Sequence, residues 1–247
     1  MRQFAAQTTA PTSTVLGHLE ELRKRAWLCV GSVVLASALS LHWSGWVIEW
    51  LKRPAGMALP ALAYFSPAEA FIAYMKISVM AGVVCSMPVI LHQLWRFVQP
   101  GLTSGESRYG RVLVRFGSLL FLAGGAFAYW VILPGSLSFL LGFGGAQLQP
   151  VISIDRYLSF ASSVIFACGA VFQLPLVVFV LTKLRVVDAA LLQSKWRHAA
   201  VVVLIAAAIL TPTAVAATLL LLAVPMLGLY EVSVWDLRGC RVRPETP

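Results

Sequence analysis

Residues 157–184 read YLSFASSVIFACGAVFQLPLVVFVLTKL, an apolar stretch whose single charged side chain is Lys183. At about 1.5 Å per residue, a helix of this length spans more than the ~30 Å hydrocarbon core of a bilayer. Hydrophobic residues make up 59% of the 247-residue chain and charged residues 12%, and the mean hydropathy is +0.82. A water-facing surface needs far more polar side chains than this. The sequence therefore predicts an all-α membrane protein.

Five further apolar stretches complete the predicted bundle of six transmembrane helices. They are Ala26–Leu41, Phe71–Trp95, Val112–Leu133, Ala199–Leu210 and Val215–Val234. The fifth span is short, because Ala199–Leu210 covers only about 18 Å as a helix before Thr211-Pro212-Thr213 turns the chain. We expect a short hairpin of the fifth and sixth helices, with local thinning of the bilayer around it. Prolines within the spans, such as Pro88 and Pro175, are expected to interrupt or bend them.

Two flanking segments are predicted to lie along the membrane surface. Thr14–Arg25 repeats apolar residues at helical spacing, which favours an amphipathic helix before the first span. A cleaved signal peptide is an alternative interpretation, since basic residues precede an apolar run that ends in Ala36-Ser37-Ala38. Ser44–Pro67 is expected to be an extended loop that rests on the membrane through its tryptophans.

Lysine and arginine are distributed unequally between the two sides of such a bundle. If the N-terminus is cytoplasmic, all but four of the nineteen basic residues fall on the cytoplasmic side, the exceptions being Lys52, Arg53, Lys76 and Arg156. The positive-inside rule thus places both termini in the cytoplasm. We expect one membrane domain over residues 1–247, with a cytoplasmic amphipathic N-terminus at 1–25, the six-span bundle at 26–235 and a cytoplasmic tail at 236–247.

The motifs of common enzymes and metal sites are missing from the sequence. No G-x-S-x-G, H-E-x-x-H, Walker or dinucleotide-binding pattern occurs, and the four cysteines have no C-x-x-C spacing. We therefore expect no enzyme activity, cofactor or metal. A proton-coupled small-solute transporter is an alternative function, but such a protein usually carries ionisable groups at mid-membrane. Within the third to sixth predicted spans, Glu231 near one end is the only acidic residue.

Several short motifs occur in the order and spacing of one family of membrane proteins. They are His18–Arg25, Ser66–Phe71, Phe97–Leu102, Phe127–Tyr129, Tyr157–Phe160, Phe172–Pro175, Leu210–Pro212, Pro225-Met226 and Leu229–Glu231. Together they extend over almost the whole chain, which closely resembles the TatC family of twin-arginine protein translocases. The resemblance counts against signal-peptide cleavage, because family members keep the first span in the bundle.

The resemblance also implies a function, an architecture and partners. Family members are core receptor components that bind the twin-arginine signal peptides of folded proteins at the cytoplasmic face. They form a concave, glove-like bundle in the bacterial cytoplasmic (inner) membrane and assemble with single-span TatA- and TatB-type subunits into multi-copy complexes. Export by such complexes depends on the proton-motive force.

Candidate signal-binding residues follow from the same resemblance. Glu21 and Glu106 match the signal-binding acids of the family, and the charge distribution places both on the cytoplasmic side. Arg23 is expected to orient Glu21, while Phe97 and the turn at Pro100 present the loop that carries Glu106. Carboxylates at a partly desolvated membrane surface suit the planar donors of two guanidinium groups, so lysine is expected to be a poor substitute for arginine in the ligand.

Other matches are structural or partner-binding. Pro54 corresponds to a family proline implicated in function, although a loop proline can also be simply a rigid turn. Phe71 and Lys76 match the outer end of the second span, where a lysine can extend to the headgroups. Gln173 and Ala214 stand where relatives often carry acids, so a mechanism that needs a titratable group at residue 173 is in doubt. Gln173 is also an expected contact for the single-span subunits.

Overall fold

The computed structural model describes residues 10–58, 62–99, 110–142, 151–183 and 228. Its long helices are α1 (Ala10–Ser40), α2 (Ser44–Lys52), α3 (Pro67–Val98), α4 (Gly110–Phe127), α5 (Leu133–Gly142), α6 (Ile154–Val171) and α7 (Leu174–Lys183). Two short strands, β1 (Leu62–Ala63) and β2 (Ile152–Ser153), pair in parallel. The predicted fifth span, the sixth span apart from Gly228, and the C-terminal tail lie outside the described residues.

Four helical stretches of the described chain are long and apolar enough to cross a membrane. They are Leu19–Lys52, Pro67–Val98, Gly110–Gly142 and Ile154–Thr182. These stretches contain the first three predicted spans, each of which is longer in the structure than the sequence indicated, and most of the fourth, whose last residue, Leu184, lies outside the described residues. The third continues past Leu133 because a π-helical turn at Ala128–Ile132 leads into α5 and accommodates Pro134 near the start of that helix.

The N-terminal segment corrects one expectation. Thr14–Arg25 and the first predicted span belong to a single uninterrupted helix, α1, so no separate surface helix ends before Ala26. No proline falls in this stretch, and an ion pair between Glu21 and Arg25 stabilises the helical turn at the predicted boundary.

The segment predicted as an extended loop is also different. Ser44–Pro67 contains α2, a 3₁₀ turn at Arg53–Ala58 and strand β1. Ile48 and Leu51 of α2, at helical spacing, are buried in the core. Gly56 in the following turn has a positive φ of 34°, a conformation that favours glycine. The prediction of an extended loop is wrong, because the apolar face of this segment packs on the bundle.

Helices α1 and α3 pack closely through small residues. The Ser86 hydroxyl donates to the Ser32 carbonyl at 3.0 Å. A Cβ added to Gly82 would lie 2.6 Å from the main-chain nitrogen of Ser37. Ser86, Gly82 and Ser78 lie four residues apart and are all buried. Small residues with such spacing let helix backbones approach within lipid, where burial in an apolar solvent gives little driving force.

The buried core lies where α2, α3, α5, α6 and the π-helical turn meet. Its largest fully buried side chains include Ile77, Ile132, Leu133, Leu158 and Val164. Many large apolar side chains elsewhere point outward, as expected for a protein whose solvent is lipid. They include Trp27, Leu35, Leu119 and Trp130.

Two prolines affect their helices differently. Pro175 has no N–H to donate to the carbonyl of Val171, and the helix breaks between α6 and α7 at Phe172 and Gln173. The break keeps local hydrogen bonds of 3.0 Å from Phe172 N to the Cys168 carbonyl and from Gln173 N to the Ala170 carbonyl. Helix α3, in contrast, continues through Pro88 without interruption.

Candidate functional site

Polar side chains gather at two ends of the described bundle. The first, called here the Glu21 end, is formed by the N-terminal half of α1, the last turns of α3 and the first turn of α4. The second, the α2 end, is formed by α2, β1, β2 and the start of α3 and α6. Each end has its own network of contacts.

At the Glu21 end, the carboxylate of Glu21 accepts a hydrogen bond from the guanidinium of Arg25, one helical turn later. The side chain of Glu21 is 36% exposed and that of Arg25 is 18% exposed. Arg23, two residues after Glu21, lies about 200° around the helix and is exposed. Arg25 therefore contacts Glu21 in the structure, and an orienting role for Arg23 stays a prediction.

Arg25 also connects α1 to α3. Its Nη1 donates to the main-chain carbonyl of Gln93 at 3.5 Å, the upper limit for a hydrogen bond. Its Nε is buried and has no hydrogen-bond partner among the described residues. One guanidinium thus contacts both Glu21 and the neighbouring span, with one of its donors unsatisfied.

Trp95 fixes the start of α4 against the end of α3. A Cβ added to Gly110 would lie 2.0 Å from Trp95 Nε1, so only glycine allows this approach. Phe97 is half-buried in the last turn of α3, two residues after this contact. Pro100 and Glu106 lie outside the described residues, which resume at Gly110.

At the α2 end, Ser153 and Glu69 join the two strands to the spans. Ser153 caps α6 by accepting a hydrogen bond from Arg156 N at 3.4 Å. The same hydroxyl donates to the Glu69 carboxylate, which also accepts from Phe65 N at 2.7 Å. These contacts tie the start of α3 to the start of α6.

Lys76 lies one to two turns further along α3 and is paired within the protein. Its Nζ is 2.5 Å from Asp155 and 3.0 Å from the Ser159 hydroxyl, both on α6. The ammonium of Lys76 thus pairs with α6 while the side chain is still 43% exposed, and its extension to the lipid headgroups stays a prediction. Phe71 is exposed beside the pair and, with Lys76, lines a groove of about 690 Å³ between α3 and α6.

Pro54 lies in the 3₁₀ turn that directly follows α2. Two tyrosines from the spans reach the last turn of α2: Tyr129 donates to the carbonyl of Trp50 at 2.8 Å, and Tyr157 donates to that of Leu51. The indole of Trp50 stacks on Tyr129 with 3.8 Å between ring centroids. The turn at Pro54 is therefore built into the bundle.

Gln173 is buried in the bundle, with 8% of its surface exposed. Its Nε2 donates to the main-chain carbonyl of Gly117 on α4 at 2.9 Å, while its Oε1 is buried without a hydrogen-bond partner. Glycine at 117 leaves room for this contact, because an added Cβ would lie 3.3 Å from Gln173 Oε1 and 2.9 Å from a Leu91 methyl. The amide thus joins the α6–α7 break to α4, and contact with another subunit through Gln173 stays a prediction.

Comparison with known proteins identifies the family. A family model for the Sec-independent protein translocase protein (TatC) matches residues 17–225. The chain belongs to the TatC family. It is therefore a component of the Sec-independent, twin-arginine translocase and a multi-pass membrane protein, as its apolar helices indicate.

TatC proteins of known sequence and structure agree with this over nearly the full length. The TatC protein of Carboxydothermus hydrogenoformans is 36% identical over 222 residues, covering 90% of this chain and 91% of that relative. The TatC protein of Aquifex aeolicus is 37% identical over 222 residues, covering 88% and 92%. A crystal structure of the twin arginine translocase receptor TatC has a TM-score of 0.80 and 36% identity, covering 92% of this chain and all of that one.

Of the predicted TatC-like site residues that the structure describes, all but Gln173, which is buried within the bundle, fall into two groups. Glu21, Arg23 and Phe97 lie at the Glu21 end, whereas Pro54, Phe71 and Lys76 lie at the α2 end. Sequence reasoning missed three contacts: Arg25 with Gln93, Trp95 with Gly110, and Lys76 with Asp155. The contact of Lys76 with Asp155 could have been predicted, since the two residues carry opposite charges near the same end of two predicted spans.

Proposed function

We propose that this TatC-family protein binds twin-arginine signal peptides at its Glu21 end, with Glu21 and Glu106 as the carboxylates that contact the two guanidinium groups. Each arginine of the ligand presents a planar set of N–H donors that matches a carboxylate. Two adjacent arginines therefore call for two carboxylates on the same surface.

The observation that carries this proposal is the contact between Glu21 and Arg25. The carboxylate of Glu21 accepts a guanidinium and is still 36% exposed, so a ligand can approach it from the surface. Neighbouring helices exclude part of the water around the pair, which strengthens a charge-assisted hydrogen bond.

The second carboxylate is proposed from its position in the chain. Glu106 belongs to the segment between Gln99 and Gly110, and both of these flanking residues lie at the Glu21 end next to Trp95. Arg25 and Gln93 connect α1 to the same part of α3. These contacts support a site shared by the start of α1 and the segment after α3.

Orientation and assembly belong to the same proposal. Basic residues of the described chain concentrate at the Glu21 end, including Arg23, Lys24, Arg96, Arg111 and Arg115, which supports a cytoplasmic position for this end. We infer a six-helix, glove-like bundle with both termini in the cytoplasm of a bacterium and the spans in its inner membrane. TatA- and TatB-type subunits are the proposed partners, with export driven by the proton-motive force.

The proposal is tested by equilibrium binding of a labelled signal peptide to inverted membrane vesicles that contain the full chain. The Arg-Arg peptide is expected to bind more tightly than its Lys-Lys variant. Glu21→Gln and Glu106→Gln are each expected to weaken Arg-Arg binding about 10-fold or more, because a hydrogen bond to a charged group contributes about 1.5–3 kcal/mol.

Glu20→Gln is the matched control, since Glu20 is exposed on the same turn as Glu21. It removes the same charge and is expected to change the affinity less than about twofold. Equal affinity of all four proteins for the Arg-Arg peptide would contradict the assignment of the site.

A further inference from the structure

Arg25 occupies the carboxylate that the proposed ligand needs. Its guanidinium donates to Glu21, and it presents to that carboxylate the same chemical group as an arginine of the signal peptide. An incoming guanidinium must therefore share Glu21 with Arg25 or displace it.

We propose that Arg25 is an internal competitor that holds Glu21 in the resting protein and releases it when a twin-arginine peptide binds. The proposal rests on the function proposed above and names the residue that sets the affinity of the site. Arg25 then acts through Glu21 and makes no contact with the ligand.

The remaining contacts of Arg25 make it replaceable. Its bond to the Gln93 carbonyl is 3.5 Å long, and its Nε is buried with no partner. A buried N–H without a partner costs free energy, since it has lost its hydrogen bond to water. When Arg25 leaves Glu21 and becomes solvated, this cost is removed, so exchange for the guanidinium of a ligand needs little net free energy.

Competition from Arg25 is expected to lower the affinity of the site for every peptide by the same factor. The free energy of breaking the Glu21–Arg25 pair is subtracted from the binding of every ligand that uses Glu21, whatever the ligand's own cation. Loss of Arg25 is therefore expected to tighten binding of Arg-Arg and Lys-Lys peptides by the same factor and to leave their ratio unchanged. A purely structural connection between α1 and α3 predicts the opposite direction, since loss of Arg25 would then disorder Glu21 and weaken binding.

The test uses the full chain in inverted membrane vesicles, with labelled Arg-Arg and Lys-Lys signal peptides. Arg25→Gln is expected to raise the affinity for both peptides about two- to fivefold, the range of a partly exposed ion pair. Lys24→Gln is the matched control, because Lys24 is the exposed residue next to Arg25 and the substitution also removes one positive charge. The affinity change in Lys24→Gln measures only the reduced repulsion of a cationic ligand. It is expected to be clearly smaller than the change in Arg25→Gln.

Two further variants make the result unambiguous. In a Glu21→Gln background, Arg25→Gln is expected to have no larger effect than Lys24→Gln, because there is no carboxylate left to release. If Arg25→Gln does not accumulate in membranes by immunoblot, Arg25→Lys carries the test, since it keeps the charge but loses the planar donor set and is expected to raise affinity as well.

An Arg25→Gln affinity that is equal to or below that of Lys24→Gln would overturn the competition proposal while leaving the binding site intact. Failure of the site itself gives a different result: Arg-Arg binding would then be insensitive to Glu21→Gln.

Discussion

Tyr157 on α6 donates its hydroxyl to the main-chain carbonyl of Leu51, in the last turn of α2, at 2.6 Å. Both residues are almost fully buried. The N–H that would reach this carbonyl in a 3₁₀ turn belongs to residue 54, which is proline and has none. The tyrosine replaces the missing donor, and Tyr129 adds a second bond at the carbonyl of Trp50. Because Pro54 has no N–H, the Leu51 carbonyl is available to accept the hydrogen bond by which Tyr157 attaches α2 to the spans.

Removal of the Tyr157 hydroxyl is expected to destabilise the protein. Tyr157→Phe leaves the Leu51 carbonyl buried and without this donor, which costs about 1–3 kcal/mol. The thermal midpoint of the purified protein in detergent, followed by size-exclusion chromatography after heating, should fall by several degrees. Tyr64→Phe is the control, because Tyr64 is exposed and its hydroxyl loss should leave the midpoint unchanged. Equal midpoints for the two variants would show that the bond from Tyr157 contributes nothing.

The close packing of α1 on α3 predicts opposite effects for two glycines. Gly82→Ala places a methyl group 2.6 Å from the backbone nitrogen of Ser37, so the helices must separate at a cost of about 1–3 kcal/mol. Gly31 on α1 has no atom within 4 Å of an added Cβ. Gly31→Ala should therefore leave stability unchanged or raise it by up to about 1 kcal/mol through helix propensity. Thermal midpoints of both variants provide the measurement, and a harmless Gly82→Ala would contradict the packing described for this pair.

The Lys76–Asp155 contact predicts coupling between α3 and α6. Their side chains are 43% and 26% exposed, so the coupling free energy should be modest, below about 1 kcal/mol. In a double-mutant cycle with Lys76→Ala and Asp155→Ala, the double variant should lose less stability than the sum of the two single losses. Lys52 is an exposed lysine on α2. In a parallel cycle that combines Lys52→Ala with Asp155→Ala, the two losses of stability should be additive. Additivity in both cycles would indicate that Lys76 and Asp155 do not interact.

Gln173 predicts an ordered series of substitutions. Gln173→Leu removes the donor to the Gly117 carbonyl together with a buried acceptor that has no partner, so the loss of stability should be small, about 1 kcal/mol or less. Gln173→Glu at pH 8 places a carboxylate against the same carbonyl and should cost clearly more. Thermal midpoints at pH 8 check the order, and a glutamate variant more stable than the leucine variant would contradict the contact with Gly117.

The four spans of the described residues and the local ion pair at the Glu21 end could be predicted from the sequence. Apolar length sets the spans, because lipid requires long helices with satisfied backbones. The pair of Glu21 with Arg25 follows from a spacing of four residues on one helix. Family resemblance supplied the candidate site residues, and the family itself is confirmed.

Long-range contacts account for what could not be predicted. The burial of α2 depends on Tyr129 and Tyr157, which are 79 and 106 residues away from the carbonyls they reach. A local pattern of tryptophans and apolar residues does not show which face will meet another helix, so the sequence alone favours an extended loop. Lys76 and Asp155 are likewise 79 residues apart.

We propose that Glu21 and Glu106 meet the signal peptide from the same side of the membrane. Single cysteines placed at these two positions, in a chain whose four native cysteines are replaced, can be labelled with a membrane-impermeant maleimide. Both are predicted to react in inverted vesicles and to be protected in intact spheroplasts. Labelling of one position from each side of the membrane would contradict the claim, because the two carboxylates could then not hold one pair of arginines.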